Sequence, residues 1–220
     1  MNLLAPTFAF RFSIPCRPAR NGSLAAAEAL DESYRIPSFS DLEGRKPFAE
    51  LRMGWHADGL LVHLRVTGKT QSLSCRATRI EDSDGLQLWI DTRDTHDLHR
   101  ATRFCHRFGF LPAGGGRRLD EPVAALLAIS RARESPKSIE REALEVRAAR
   151  ETAGYRLWAF IPSSSLTGYD ASEYRKLGFF FAVVDRELGW QTLTLGPEMP
   201  IDEDPSLWGS LELVAQASSS

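Results

Sequence analysis

The chain has 220 residues, 43% of them hydrophobic and 25% charged, with a formal net charge of −2. That balance predicts a folded globular chain, one domain over residues 1–215 with a disordered tail at 216–220. Acidic and basic residues are interleaved, which excludes the basic stripe of a nucleic-acid binder, and no run approaches the roughly 18 apolar residues of a membrane span.

Near the start, "MNLLAPTFAFRFSIP" lacks the basic n-region and long apolar h-region of a signal peptide. The alternation of Phe8, Phe10, Phe12 and Ile14 reads as a first strand. The three cysteines, Cys16, Cys75 and Cys105, are odd in number and lack CxxC spacing. No disulfide framework is expected, and a reducing cytoplasm is the compartment they fit. The oligomeric state is left open.

Period two dominates the rest of the chain. "ELRMGWH" and "LLVHLRVT" flank the turn "ADG", and the second arm sets Leu60, Val62, Leu64 and Val66 on one face. In "GLQLWID", Leu86, Leu88 and Ile90 alternate with Gln87, Trp89 and Asp91. "RFCHRFGF" sets Phe104, His106, Phe108 and Phe110 against Arg103, Cys105 and Arg107. "GGGRRLDEP" is a loop; it lacks the strand, helix and lysine of a phosphate loop. "PVAALLAISRA" is read as a strand, with a helix opened by its proline as the alternative. "EALEVRAAR" and "YRLWAFIP" form a hairpin around "ETAG". "LGFFFAVVD", apolar on both faces, is a central covered strand, and "SLELVA" is the last. Many short strands between Gly, Pro and Asp predict an all-β fold, a two-sheet antiparallel β-sandwich with little helix.

The candidate sites are of three kinds. Trp89 shares the polar side of its strand with Gln87 and Asp91, and Arg93 follows; Asp185 ends the central strand and Trp190 lies in the turn beyond. Flat aromatic rings beside hydrogen-bonding groups suit a sugar or another small polar ligand. Trp55, Trp158 and Trp208 fall where packing is expected. The stretch "DTRDTHDLHRATRFCH" offers His96, His99 and His106, with Asp94 or Asp97, to a zinc ion. Against this, the same residues make a polar loop held by its own ion pairs. "EDSD" (Glu81–Asp84) and "DEDP" (Asp202–Pro205) have the oxygen ligands calcium needs. Nucleophilic catalysis finds no support: "IPSSSLTG" is no nucleophile elbow, and Cys105 and His106, as strand neighbours, point to opposite faces.

Five segments in order, "WHADGLLVHLRVT", "DSDGLQLWIDTRD", "YRLWAFIPSSSL", "LGFFFAVVDRELGW" and "DPSLWGSLEL", resemble family 9 carbohydrate-binding modules and the wider DOMON-like β-sandwich group, from Trp55 to Leu213. The resemblance implies a sandwich binding sugars between aromatic side chains, with Trp190 near the family's stacking tryptophan, and structural calcium. Some DOMON relatives hold haem between Met and His, which would here be Met53 and His63. No enzyme domain is expected beside the module, and the His-rich insertion after the acidic turn sets the sequence apart from these modules. The expectation is a non-catalytic binding domain for a carbohydrate or other small polar ligand. The alternatives are a metal-dependent protein or small enzyme using His96, His99 and His106, and a protein-interaction module.

Overall fold

A computed structural model describes residues 12–39, 46–194 and 199–215. Phe8, Phe10 and the 216–220 tail lie outside the described residues.

Two sheets face each other. In the first, β4 (Gly85–Asp91), β5 (Cys105–Gly115), β6 (Glu121–Leu127), β9 (Lys176–Asp185) and β11 (Gly209–Leu213) run in the order β6-β5-β4-β9-β11. The short β10 (Gly189–Thr192) shares the far edge of β9 with β11. In the second sheet β2 (Ala49–His56), β3 (Gly59–Thr67), β7 (Glu145–Glu151) and β8 (Gly154–Pro162) run β2-β3-β8-β7. β1 (Ser13–Pro18) joins them: Ser13–Cys16 pair with β11, and Arg17 and Pro18 with β2.

The all-β sandwich matches the expectation, with one correction. β1 is parallel to both neighbours, whereas every other strand pair is antiparallel. After Pro18 the chain makes a long excursion before Ala49, and a parallel pair requires such a crossover. The excursion carries α1 (Leu24–Glu28), capped by Ser23 Oγ accepting from Ala26 N at 3.2 Å. Its Ala27, with Leu30 and Ala19, packs on Leu61 and Phe160, on the outer side of the second sheet.

Strand parity builds the core. Leu60, Val62, Leu64 and Val66 of β3, Leu86, Leu88 and Ile90 of β4, and Phe108 and Phe110 of β5 are all fully buried between the sheets. β9 is hydrogen-bonded on both edges and buried on both faces from Leu177 onward. "EPVAALL" is the strand β6, so the stretch is a strand and not a helix. The glycine-rich loop before it is shorter than expected, because Gly115 still pairs with Glu121 and only 116–120 form the turn. No helix of the described residues is long and apolar enough to cross a membrane.

Candidate functional site

The outward face of the first sheet carries the candidate site. With Leu86, Leu88 and Ile90 inward, Gln87 and Trp89 point outward. Pairing places Trp89 between Arg107 of β5 and Phe180 of β9, and Gln87 between Gly109 and Ala182. Thr192 of β10 lies beyond Ala182 in that row, and Trp190 lies opposite Val184. The hairpin bringing Trp190 here turns at Gly189, whose φ of 96° a side chain would strain. Met199, Ile201 and Asp202 form the remaining wall, held as Trp208 Nε1 donates to Ile201 O at 2.8 Å. The cavity these residues line is about 130 Å³ and opens to solvent beside Trp190.

Its chemistry is aromatic and polar together. Trp190 is 41% exposed, Trp89 only 3%. Phe180 meets Trp89 edge-on, with centroids 5.9 Å apart. The Arg107 guanidinium lies over the Trp89 ring, 5.1 Å from its centroid. Arg107 also donates to Gln87 Oε1 from Nε at 3.2 Å and Nη2 at 2.7 Å, while Gln87 Nε2 donates to Glu81 O at 3.2 Å. Burial lowers the Arg107 pKa from its usual value, and the carboxylates of Asp202 and Glu81 oppose that shift. The buried Nε1 of Trp89 has no hydrogen-bond partner among the described residues.

Of the six residues anticipated as ligand-binding, the structure brings Gln87, Trp89 and Trp190 to this cavity. It sets the other three elsewhere. Asp91 shares the outward face but is covered by its own loop, accepting from Arg93 N at 3.0 Å and Thr95 N at 2.8 Å. Arg93 is clasped by the rings of Phe104 and Tyr174, at 4.4 and 3.8 Å, and donates to Gly168 O. Asp185 falls on the inward parity of β9, with Phe179, Phe181 and Val183, and not on that of Phe180 and Ala182.

The three histidines do not converge. His96 Nε2 sits 3.1 Å from Asp94 Oδ1 and 3.0 Å from Ser210 Oγ. His99 Nδ1 sits 3.1 Å from both Asp204 Oδ2 and Ser206 Oγ. His106 is fully buried, stacked on Phe108, and its Nε2 accepts from Thr167 N at 2.9 Å. Among the described residues no group of three or more His, Cys, Asp and Glu side chains is arranged to hold a metal ion. The loop is held by the Asp91 carboxylate accepting from its backbone and by His96 and His99 reaching a segment far along the chain; the ion pairs expected between its own Arg and Asp side chains are not seen among the described residues. Met53 and His63 also part company: Met53 is in the core, whereas His63 stacks on Trp158 outside the second sheet.

In the acidic stretches suggested for calcium, Asp82, Asp84, Glu203 and Asp204 are engaged by protein groups. Asp84 Oδ2 and Asp185 Oδ1 each lie 3.0 Å from Lys69 Nζ, with Glu187 Oε2 at 3.7 Å. Burial works against the Lys69 ammonium, yet its hydrogen bonds to Asp185 and Asp84 prevail and raise its pKa. Asp82 pairs with Arg79, and Asp204 caps the turn at Ser206.

Sequence reasoning missed Arg107, Phe180 and Lys69, and read Asp202 as a calcium ligand where the structure sets it on the cavity wall. The alternation in "RFCHRFGF" had put Arg107 on the polar side, but the long loop after Asp91 hid the register that sets it opposite Trp89.

No protein-family model and no curated protein matches the chain. Solved structures do. A family 9 carbohydrate-binding module from Caldicellulosiruptor kristjanssonii, in complex with cellotriose, superposes with a TM-score of 0.60 at 13% identity, over 95% of this chain and 97% of that one. The module in complex with glucose gives 0.59 at 14% identity, over 95% and 99%. A candidate carbohydrate-binding protein from Bacteroides uniformis gives 0.58 at 13% identity, over 93% and 100%. The chain therefore has a family 9 carbohydrate-binding-module-like fold.

Proposed function

We propose that this protein is a non-catalytic carbohydrate-binding domain whose ligand enters the cavity between Trp190 and the Trp89–Arg107 pair. The observation that carries the reading is the meeting, in one cavity of a family 9-like sandwich, of two indole rings with an arginine fork and a carboxylate. A sugar ring has apolar C–H faces that settle on an indole, and hydroxyls around its rim that need donors and acceptors. Trp190 offers an open ring, Arg107 offers donors, and Asp202 offers an acceptor. The complexes of the structural relatives with cellotriose and glucose support a sugar as the ligand class.

The test is titration calorimetry with glucose, cello-oligosaccharides and a panel of other mono- and disaccharides, with tryptophan fluorescence read in parallel. Saturable heat with one sugar class, accompanied by a fluorescence change that Trp190→Ala abolishes, is the expected result. No heat with any sugar and unchanged fluorescence at high sugar concentration would overturn the reading.

A further inference from the structure

Asparagine is scarce in this chain: only Asn2 and Asn21 are asparagines, and Asn2 lies outside the described residues. Asn21 is exposed, in the turn that joins β1 to α1, and Gly22 follows it. Asparagine is a chemically labile side chain, and a glycine after it has no side chain to shield its backbone nitrogen.

Ser23 holds the Asn21 amide. Its hydroxyl oxygen accepts from Ala26 N at 3.2 Å as the cap of α1, and its proton is donated to Asn21 Oδ1 at 2.6 Å. A donor on that oxygen draws electron density from Cγ and stabilises the negative charge that develops when a nucleophile adds there. The nucleophile at hand is the next backbone nitrogen along the chain. Gly22 N makes no hydrogen bond among the described residues, so none has to break before it turns on Cγ. Attack closes a succinimide ring between groups already tethered to each other. The glycine is also demanded by packing. A Cβ at position 22 would lie 2.7 Å from Asp58 Cβ, 3.1 Å from His56 Nδ1 and 3.2 Å from Phe160 Cζ. The residue that makes the amide reactive is therefore the one that lets this turn sit on the second sheet.

We infer that Asn21 is a self-modification site, at which the side-chain amide is exchanged for a carboxylate without an enzyme. A base takes the proton of Gly22 N, and that nitrogen bonds to Asn21 Cγ. The Cγ–Nδ2 bond breaks, and the nitrogen leaves as ammonia with the proton the base returns. Water then opens the ring. Addition at Cγ gives an ordinary chain with aspartate at position 21. Addition at the main-chain carbonyl carbon gives isoaspartate, whose backbone is longer by a methylene. Water is taken up and ammonia released, with no oxidant or reductant. The longer backbone falls between two anchors, since Ala19 N donates to Trp55 O at 2.8 Å and Ser23 caps α1. It thereby loosens α1 from Leu61 and Phe160. The inference goes beyond sugar binding and does not rest on it.

Incubation of the folded protein in warm, mildly alkaline buffer tests it, beside a synthetic peptide of residues 18–26. Peptide mapping by mass spectrometry and methylation by an isoaspartyl methyltransferase read the outcome. Position 21 is expected to gain the mass difference between NH2 and OH on the timescale of the peptide, faster as pH rises, and to become a methyl acceptor. Asn21→Gln, whose larger ring closes more slowly, should gain neither over the same time. Ser23→Asp keeps a helix cap but has no O–H to donate, so it should convert several-fold more slowly, and Ser23→Thr at the wild-type rate. Thermal melting confirms that each variant is folded. An Asn21 that stays intact while the peptide converts, or a Ser23→Asp variant that converts as fast as the wild type, would overturn the inference.

Discussion

Arg107 and Trp89, on adjacent strands, form one unit: the guanidinium lies 5.1 Å from the indole centroid and is anchored edgewise to Gln87. An arginine held this way keeps a planar fork aligned above a planar ring, which a lysine cannot reproduce. Arg107→Lys is therefore expected to weaken sugar binding by about 1–2 kcal/mol, roughly 5- to 30-fold. Arg107→Met should weaken it at least as much while keeping the apolar cover over Trp89. Calorimetry against the best sugar, with thermal melting to confirm folding, reads both. Unchanged affinity in Arg107→Met would remove Arg107 from the site.

Trp190 is exposed and carries little of the core. Trp190→Ala should leave the melting temperature nearly unchanged and cost about 1–3 kcal/mol of binding, the scale of a ring stacked on an aromatic platform. Trp89→Ala should instead lower stability by about 3–5 kcal/mol, since it empties a buried position. Parallel melting and binding curves separate the two. A large stability loss in Trp190→Ala would show that it packs rather than binds.

Lys69 balances carboxylates buried in the sandwich: Asp84 and Asp185 have fully buried side chains, and Lys69 is 4% exposed. Removing one member of a buried ion cluster strands the others, at about 3–5 kcal/mol. Lys69→Met is expected to destabilise by that order in urea denaturation at pH 7. Adding Asp185→Asn should restore part of the loss, because one stranded charge disappears with it. If the double variant is no better than the single one, the ion cluster is not the origin of the effect.

His106 gives an acid response with a definite sign. Burial lowers its pKa from 6.5 to about 4, so between those values the unfolded chain binds the proton and the folded chain does not. Stability from this group is complete above about pH 6.5 and falls as pH drops towards 4, by about 3 kcal/mol in all. His63, lowered to about 4 by burial and then by Arg52 and Arg156, adds a loss in the same window. Urea midpoints from pH 7 to pH 4 should fall, and less steeply in His106→Gln, whose amide oxygen can still accept from Thr167 N. An identical pH dependence in that variant would exclude His106 as a source.

Much of the architecture was legible, because a sandwich strand with one solvated face writes its period into the sequence. The inward rows Leu60–Val66, Leu86–Ile90 and His106–Phe110 were each readable this way. The site was legible where it depended on parity within one strand, as for Gln87 and Trp89. It was not legible where it depended on register between strands, as for Arg107, or on a segment folding back, as for Ile201 and Asp202. Asp185 shows the limit: one residue of parity moves a side chain from the ligand cavity to the buried ion cluster. His96 and His99, close in sequence, are taken by different partners, Ser210 and Asp204, from a segment far along the chain.

The ladder between β1 and β11 sets Ser13 beside Ser210, so its contacts span nearly the whole described chain. A ribosome must deliver β11 before β1 can complete its ladder in the first sheet, and until then one margin of that sheet stays open. Closing so long a loop is an entropic toll levied early, and chains dominated by such distant pairings fold slowly. The same stitch makes β1 a shared seam: removing Ser13–Pro18 would unfasten both sheets at once, since those six residues serve as margin to each.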